Sequence, residues 1–401
     1  MYLELPKKLH GLQTMAHNLA NEMFRPISRK YDIAEHEYPK ELDMIAAMLD
    51  GMNDGETGGV AGASHSSKKP KSEKSGVSNG GNMASLVGIQ ELCWGDVGLL
   101  LTLPRQGLGN AAIAAVANAE QTERFKGKWA AMAITEPGTG SDSANIRTTA
   151  VKDGDYYVLS GEKIFITAGS RADIIVVWAT LDPKLGRAAI KSFAVETGTP
   201  GMELARLEHK LGIKASDTAT VILDGCRVHK DNLLGDPEVN VEKGFAGVME
   251  TFDNTRPLVA GMAVGLAKAS LDRTKELLKD HLRDNYTSPV NTLSSVEAQI
   301  CKMEADWEAA RLLTIKAAWM ADNSTPNSKE ASMAKAKAGR VCNQITLKCV
   351  ELCSSVGYSE TELLEKWSRD SKILDIFEGT QQIQQLIVAR RLLGKSSAEL
   401  K

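Results

Sequence analysis

The spacing of hydrophobic residues changes twice along the chain. Up to about residue 127 apolar side chains recur every three to four positions, which predicts helices over residues 10–33, 39–52, 83–95 and 109–119. From about residue 128 to 236 they form short β-branched and aromatic runs separated by Gly, Pro and Asp. Those runs predict strands at residues 156–160, 174–179, 192–195 and 220–223.

Helical spacing returns from about residue 239 to residue 394, in long stretches rich in Ala, Leu, Met, Glu and Lys. Polar segments at 285–295 and 323–328 interrupt these stretches. The pattern therefore predicts an α+β fold. We expect an N-terminal helical domain over residues 1–127, a central β domain over residues 128–238 and a C-terminal helical bundle over residues 239–401.

Residues 55–81 break the helical pattern. They are rich in Gly, Ser and Lys and hold almost no large apolar residue, so they cannot bury enough surface to offset their ordering entropy. We expect a flexible surface loop between two N-terminal helices. A mobile lid over a substrate entrance, whose lysines meet an anionic ligand, is the functional alternative.

Composition is that of an ordinary globular protein, with 43% hydrophobic and 25% charged residues among 401. A net charge of −3, with Lys and Arg spread along the chain, argues against nucleic acid or an anionic membrane as the main partner. We expect no membrane span, because no run of about 18 apolar residues occurs. The N-terminus shows no secretory signal, which favours a cytoplasmic protein.

Cysteine and histidine usage points away from disulfides and metals. The six cysteines form no CxxC pair, and free buried thiols in a reducing compartment are the expected state. The seven histidines are scattered without metal-ligand spacing, so no metal site is expected.

The most informative segment is DIFEGTQQIQQLIVA, residues 375–389. Thr380 is a good N-cap for an amphipathic helix, and Gly394 is a suitable stop. Glu378 therefore lies on a turn just before a helix, beside an apolar surface. A carboxylate that loses water there gains a higher pKa, as a general base near neutral pH requires. A solvated loop glutamate is the alternative.

A second segment, TEPGTGSD at residues 135–142, combines two glycines and a proline with hydroxyl groups. Such a turn exposes backbone N–H groups and can cradle a cofactor ring, although an ordinary β-turn has the same composition. In the following GEKIFIT run, Phe165 and Thr167 alternate with Ile164 and Ile166. Regular alternation places Phe165 and Thr167 on one strand face, where they could stack on and bond a planar cofactor.

A further segment, TFDNTRPLVAGMAVGLA at residues 251–267, places Asp253 and Arg256 three positions apart. We expect these residues on one face at a helix start, where a local ion pair is the simplest role for them.

Taken together and in this order, TEPGTGSD, GEKIFIT, FDNTRPLVA and FEGTQQIQ resemble the acyl-CoA dehydrogenase family of flavoenzymes. The resemblance runs from about Leu86 to Leu393. It implies an acyl-CoA dehydrogenase-like α+β fold, a bound FAD and an acyl-CoA substrate. It also implies electron-transferring flavoprotein or a similar acceptor as the redox partner, in fatty acid or related β-oxidation.

The resemblance implies a chemical role for Glu378. This residue would remove the α proton of an acyl-CoA thioester while the β hydrogen leaves as hydride to FAD, giving the trans-2-enoyl-CoA. The backbone N–H of Glu378 would bond the thioester carbonyl. Because the α proton is too weakly acidic for a carboxylate in water to remove it, the site must stabilise the developing enolate and exclude solvent.

The resemblance also implies the residues that hold the cofactor and the substrate. Contacts to the flavin ring and ribityl chain would come from Ile134, Thr135, Gly140, Ser141, Phe165 and Thr167, and contacts to the adenosine end from Thr380 and Gln382. The substrate would be bound by Asp253, Arg256, Phe377, Gly379 and Trp94. Residues 98–104, GLLLTLP, would line the acyl tunnel beside Trp94, with helix core as the equal alternative.

Two departures from the family pattern concern the cofactor of a neighbouring subunit. The family's Arg-x-x-Phe-Gly is replaced by LRDNYTSPVNTLSS at 282–295, where Arg283 is present without the Phe-Gly. Its Gln-x-x-Gly-Gly-x-Gly is replaced by ELCSSVG at 351–357, which would put the charge of Glu351 near a pyrophosphate. We therefore favour an α2β2 hetero-tetramer with a related chain over a homotetramer.

Two other classes of function remain open from the sequence. The same fold hosts acyl-CoA oxidases and flavin monooxygenases. Glu378 favours a desaturating enzyme over a monooxygenase, which needs no base for an α proton. It does not separate a dehydrogenase from an oxidase, since oxygen reactivity depends on solvent access. A partner subunit that completes the site of another chain is the other class, and the intact Glu378 and TEPGTGSD turn argue against it.

Overall fold

The computed structural model describes residues 4–52, 80–104, 108–239, 246–282, 292–396 and 399, without the side chains of residues 48–52 and 246–254. The predicted loop or lid at 55–81 lies outside this description apart from its last two residues. So does Arg283, on which the first departure from the family pattern depends. The division into domains at residues 127 and 238 stays a prediction.

Helices form the N-terminal part, as the spacing predicts. They are α1 (Lys7–Leu19), α2 (Arg25–Ile33), α3 (Glu41–Met52), α4 (Gly81–Gly95), α5 (Val97–Leu100), α6 (Leu108–Val116) and α7 (Ala119–Arg124), with a π-helical turn at Ala20–Phe24 between α1 and α2. The α4 N-terminus is capped from a distance, since the Asp322 carboxylate accepts the N–H groups of Gly80, Asn82 and Met83 at 2.9–3.0 Å.

A mixed sheet forms the central part, and the four predicted strands are all confirmed. Its strands are β1 (Ala130–Ala133), β2 (Thr149–Asp153), β3 (Tyr156–Thr167), β4 (Ile174–Thr180), β5 (Ile190–Glu196), β6 (Met202–Leu207) and β7 (Thr218–His229). Within the described residues the order is β1-β4-β2-β3-β7-β6, with β5 on the other edge of β4. β4 is buried along its whole length, as expected of a strand covered on both faces.

Long helices form the C-terminal part. They are α8 (Ala246–Leu277), α9 (Ser295–Asp322), α10 (Ser328–Leu352), α11 (Ser354–Tyr358), α12 (Leu364–Ser371) and α13 (Gln381–Leu393). α10 packs against α8, α9, α12 and α13. Thr380 caps α13, and Gly394 ends it in the left-handed conformation with φ 64°, as the sequence predicts.

A buried ionic network joins the three parts of the chain. The Lys366 ammonium on α12 lies 2.7 Å from Asp96 Oδ2 at the start of α5 and 2.6 Å from Asp370 Oδ2. The other oxygen of Asp370 accepts the Ile213 N–H from the β6–β7 connection at 2.5 Å. All three charged side chains are at most 1% exposed. Such networks specify geometry more than they add stability.

All six cysteines are free, and all are buried except the half-buried Cys301, which confirms the expected buried thiols in the main. Among the described residues, no helix is both long enough and apolar enough to cross a bilayer.

Candidate active site at the start of the last helix

The turn that carries Glu378 has an unusual backbone. Glu378 adopts φ 57° and Gly379 adopts φ 94°, immediately before Thr380 caps α13. Positive φ is unfavourable for a residue with a Cβ, and strained residues of this kind cluster at functional sites. A methyl group on Gly379 would lie 2.5 Å from Gln384 Nε2, so both the conformation and the space require glycine there.

The Glu378 side chain is buried rather than solvated. Only 9% of the residue is exposed, and Oε2 accepts a hydrogen bond from Thr255 Oγ1 at 2.8 Å. Burial raises the pKa of this carboxyl group, while the Thr255 hydroxyl and the charges of Arg256 and Lys335 partly oppose that rise. The structure therefore contradicts the alternative of a solvated loop residue.

Both carbonyl groups of the turn are held by buried side chains. Gln384 Nε2 lies 2.9 Å from the Glu378 carbonyl and 3.1 Å from the Gly379 carbonyl. Lys335 Nζ, on α10, donates to the Gly379 carbonyl at 2.7 Å. Sequence reasoning missed both residues, because their role depends on α10 and α13 packing together. The Glu378 N–H, by contrast, donates to none of the described residues.

The TEPGTGSD turn depends on a buried ion pair that sequence reasoning also missed. Glu136 is 5% exposed and accepts bonds from the Thr148 hydroxyl at 2.6 Å, from two backbone N–H groups and from Lys163 Nζ at 2.7 Å. Lys163 is fully buried, and burial lowers the pKa of its ammonium to about 8 although Glu136 opposes this. The pair ties the turn to β3.

The predicted flavin contacts lie along the same part of the sheet. Ile134 and Thr135 lead into the turn, and the Thr135 carbonyl accepts the Ile164 N–H of β3 at 2.9 Å. Gly140 and Ser141 are exposed on the turn. Phe165 is 59% exposed with φ 57°, at a register shift between Lys163 and Ile166. The regular alternation assumed from the sequence is therefore wrong here, because a bulge re-aims Phe165.

The predicted CoA contacts do not lie at a helix start, because Asp253 and Arg256 are well inside α8. The backbone of Asp253 is helical, and its side chain lies outside the description. Pro257 in the same helix cannot donate to the Asp253 carbonyl. Arg256 is 3% exposed, and its charge acts on Glu378. Arg256 therefore contributes positive charge to the surroundings of the candidate base, while the local ion pair expected with Asp253 lies outside the described side chains.

Trp94 and residues 98–104 lie in the helical core. The Trp94 Nε1 donates to Asp272 at 3.0 Å, and the Arg25 guanidinium covers its ring at 3.8 Å from the centroid. Val97, Leu99 and Leu100 are at most 1% exposed and belong to the same core. These contacts favour the helix-core alternative. Phe377, next to Glu378, packs against the same core.

The remaining sequence-selected residues lie around α11 and α13. Thr380 caps α13, whereas Gln382 is exposed on its first turn. Glu351 is exposed and is bonded by Lys348 at 2.5 Å, which partly neutralises it. Ser354, in a position where the family pattern has glycine, keeps the left-handed backbone with φ 51°. The turn typical of glycine is therefore retained although the residue has changed.

One histidine cluster forms that the sequence spacing does not suggest. Potential ligand atoms of Glu35, His36 and His209 lie within 4.8 Å of one another. His209 Nδ1 is 2.9 Å from Glu35 Oε2, and the Lys210 N–H and the Lys214 ammonium also approach this carboxylate. Because the Lys214 ammonium lies 3.9 Å from Glu35, and the His209 ring and the Lys210 N–H already engage its oxygens, the site does not favour a further cation.

Two family models match the chain. The model described as acyl-CoA dehydrogenase, middle domain, matches residues 131–226, and that described as acyl-CoA dehydrogenase, C-terminal domain, matches residues 242–393. The caffeyl-CoA reductase-Etf complex subunit CarC of Acetobacterium woodii is 33% identical over 391 residues, covering 94% of this chain and 98% of that protein.

Two further proteins are similar to the chain. The structure of butyryl-CoA dehydrogenase from Megasphaera elsdenii superposes with a TM-score of 0.84 at 30% identity, covering 98% of this chain and 100% of that chain. The mitochondrial short-chain specific acyl-CoA dehydrogenase of Bos taurus is 40% identical over 261 residues. That alignment covers 65% of this chain and 62% of the bovine protein, less than two thirds of either.

Proposed function

The chain belongs to the acyl-CoA dehydrogenase family, and on that premise we propose that it oxidises an acyl-CoA thioester to the trans-2-enoyl-CoA with FAD as the hydride acceptor. The observation that carries the proposal is the buried carboxylate of Glu378 on its strained turn. Glu378 takes the α proton in this proposal. Burial raises its pKa, which makes the ionised form a stronger base than a solvated glutamate.

A second part of the proposal concerns the thioester carbonyl. The Glu378 N–H donates to none of the described residues, so it is available to this oxygen. A backbone donor fixed by a rigid turn stabilises negative charge that develops on the carbonyl as the α proton leaves. One residue would then supply both the base and a donor for the enolate oxygen.

The residues near the TEPGTGSD turn fit a flavin. Phe165 offers an exposed aromatic face at a bulge, and Gly140 and Ser141 are exposed on the turn whose Thr135 carbonyl bonds the neighbouring Ile164 N–H. Ile134, Thr135 and Thr167 lie on the adjoining strand ends and would contact the ring system. Thr380 and Gln382, at the α13 N-terminus, would contact the pyrophosphate and adenosine end. We propose Asp253, Arg256, Phe377 and Gly379 for the acyl-CoA.

Substrate and redox partner follow from the relatives only as proposals. The bovine and Megasphaera relatives are named for short-chain and butyryl substrates, which favours a short acyl chain here. The Acetobacterium relative is named as a reductase subunit in an Etf complex. We propose electron-transferring flavoprotein as the partner, with the reverse reduction of an enoyl-CoA as the second candidate direction. The α2β2 assembly remains the proposed oligomer.

The test is an anaerobic titration of the purified chain with acyl-CoAs of graded length, after FAD has been quantified per subunit. Bleaching of the flavin absorbance by a short acyl-CoA would support the proposal. A flavin that stays oxidised with every acyl-CoA would contradict it. Admission of oxygen afterwards separates an oxidase, whose flavin recolours at once, from a dehydrogenase. One tight FAD per subunit in a tetramer of the pure chain would overturn the α2β2 assembly.

A further inference from the structure

We propose that Lys335 is a positioning residue for Glu378, which clamps the Gly379 carbonyl and so holds the turn that aims the carboxylate. For its effect on turnover this inference rests on the proposed function. The structural part of the inference, the clamp on the Gly379 carbonyl, does not rest on the proposed function, because the clamp exists whatever the substrate is. No motif marks Lys335 in the sequence, and the AKAKAGR stretch around it is typical of an ordinary amphipathic helix.

The geometry is that of a clamp with two donors. Lys335 is 0% exposed and reaches from α10 to the Gly379 carbonyl at 2.7 Å. Gln384, also 0% exposed, reaches the same carbonyl from α13 at 3.1 Å and the Glu378 carbonyl at 2.9 Å. The peptide that follows the candidate base is thus fixed by two helices at once.

The clamp has a physical reason in the backbone of the turn. Glu378 holds a left-handed φ that a side-chain-bearing residue leaves when it is free to do so. Such a conformation persists only where surrounding contacts over-determine it. Two donors on one carbonyl provide that constraint, and the catalytic geometry demands it, because small displacements of a base reduce rates strongly.

The charge of Lys335 gives the clamp a second effect. A lysine buried to this extent is desolvated, which lowers the pKa of its ammonium to about 8, against the opposing pull of Glu378 and Asp375. In return, the ammonium opposes the rise in the pKa of Glu378. Arg256, on α8, is the other cation that acts on Glu378.

Asp375 is the second acidic group that acts on Lys335 among the described residues, and it has cationic neighbours of its own. Lys372 lies 3.3 Å from the Asp375 carboxylate and Arg340 lies 4.0 Å from it. Removal of the Lys335 charge would therefore leave Asp375 paired. The pKa of Glu378 is the property that should respond, and it should rise further.

The variant is Lys335→Met, which keeps length and removes both charge and donor. Lys337→Met is the matched control, because Lys337 is on the same helix but bonds to Asp306 at 2.7 Å and is partly exposed. Gln384→Leu removes the neutral donor of the clamp and keeps the charge. Lys335→Gln, which retains a donor, replaces the Met variant if that protein does not fold.

The first measurement is hydrogen–deuterium exchange in the peptide that covers residues 376–384. Lys335→Met and Gln384→Leu should raise exchange there, whereas Lys337→Met should not. The Lys335→Gln variant should change exchange less than Lys335→Met. Exchange in Lys335→Met that equals the control would overturn the clamp, whether or not the protein oxidises acyl-CoA.

The second measurement is kcat/KM against pH for the acyl-CoA that bleaches the flavin. Lys335→Met and Lys335→Gln should move the acid limb to higher pH, with a loss of about tenfold on the limb and less on the plateau. Gln384→Leu should leave the limb in place. If the acid limb of kcat/KM stays at the same pH in an active Lys335→Met enzyme, the charge of Lys335 does not act on the pKa of Glu378. If the wild type itself oxidises no acyl-CoA, the proposed function fails, and exchange alone decides the clamp.

Discussion

Thr255 and Glu378, which are 123 positions apart in the chain, share a hydrogen bond of 2.8 Å inside the protein. The hydroxyl comes from the N-terminal third of α8, and the carboxylate comes from the turn before α13. A hydrogen bond to an ionised carboxylate favours the charged form, so this contact restrains the rise in the pKa of Glu378 that burial causes.

The first prediction removes that hydrogen bond. Thr255→Val keeps the shape of the side chain and should raise the pKa of Glu378 further, moving the acid limb of kcat/KM to higher pH with little change on the plateau. Thr314→Val is the control, since Thr314 is a fully buried helical threonine whose hydroxyl, among the described residues, bonds only the Ala310 carbonyl of its own helix. A limb that Thr255→Val leaves in place would show that Thr255 does not act on the base.

The second prediction concerns turnover in Glu378→Gln. A glutamine keeps the volume and can accept the Thr255 hydrogen bond but cannot remove a proton. Turnover should fall by about 10²–10⁴-fold, as expected for loss of a general base, while FAD content and acyl-CoA binding persist. Flavin reduction rates and a binding titration measure both properties. Near-wild-type reduction would remove Glu378 from the role of base.

Stability of the same variant is the third prediction. The folded pKa of Glu378 lies above the ordinary value of 4.5, so the folded state holds the proton more tightly than the unfolded state. The stability that this tighter binding supplies is present below pH 4.5 and is lost as the pH rises through the folded pKa. Glu378→Gln should therefore melt above wild type at pH 8, with matched FAD. The difference should shrink toward pH 4.5, and a constant difference would contradict the assignment.

The fourth prediction uses the glycine beside the base. Gly379→Ala forces a methyl group to 2.5 Å from Gln384 Nε2 at φ 94° and should destabilise the protein by about 1–3 kcal/mol. Gly154→Ala is the control, because Gly154 also has positive φ, at 61°, but open space around its Cβ. Urea denaturation of both variants separates backbone strain from the clash, and equal losses would mean that the clash with Gln384 relaxes freely.

The fifth prediction concerns Ser354, which adopts a left-handed backbone conformation that favours glycine. Ser354→Gly should stabilise the protein by about 0.5–1 kcal/mol, because glycine adopts φ 51° without the steric penalty. Ser355→Gly, at the next position inside α11, should have the opposite sign, since glycine weakens a helix. Thermal melts compare the two. A destabilised Ser354→Gly would show that the Ser354 side chain contributes to the turn.

Sequence patterns predicted the elements of the fold well, for reasons that differ between elements. The strand from Ile174 to Thr180 is recognisable because it is buried throughout and therefore continuously apolar. The last helix is recognisable because Thr380 and Gly394 mark its ends. The bulge at Phe165 is not recognisable, since a register shift depends on the partner strand and leaves the local residue pattern unchanged.

Residues of the candidate site could be predicted only where they belong to a local sequence motif. Glu378 could be identified from the sequence because a glycine and a helix N-cap follow it directly. Glu136 lay inside a motif, but its role depends on Lys163 and Thr148 from elsewhere in the sheet. Lys335 and Gln384 act through the packing of two helices. Trp94 was expected at the acyl tunnel with helix core as the equal alternative, and the partners that hold it in the core, Arg25 and Asp272, lie far away in the sequence.

The buried Lys366–Asp96–Asp370 network has a consequence for how the protein loses its structure. Removal of Asp96 or Lys366 alone by substitution would leave the other charge in an apolar interior without its partner, a state that is strongly unfavourable. Asp370 adds the same constraint on the sheet through the Ile213 N–H. A substitution at one member of the network is therefore expected to weaken contacts in all three parts of the chain, and a fragment that ends between them would lack the partners its own charges require.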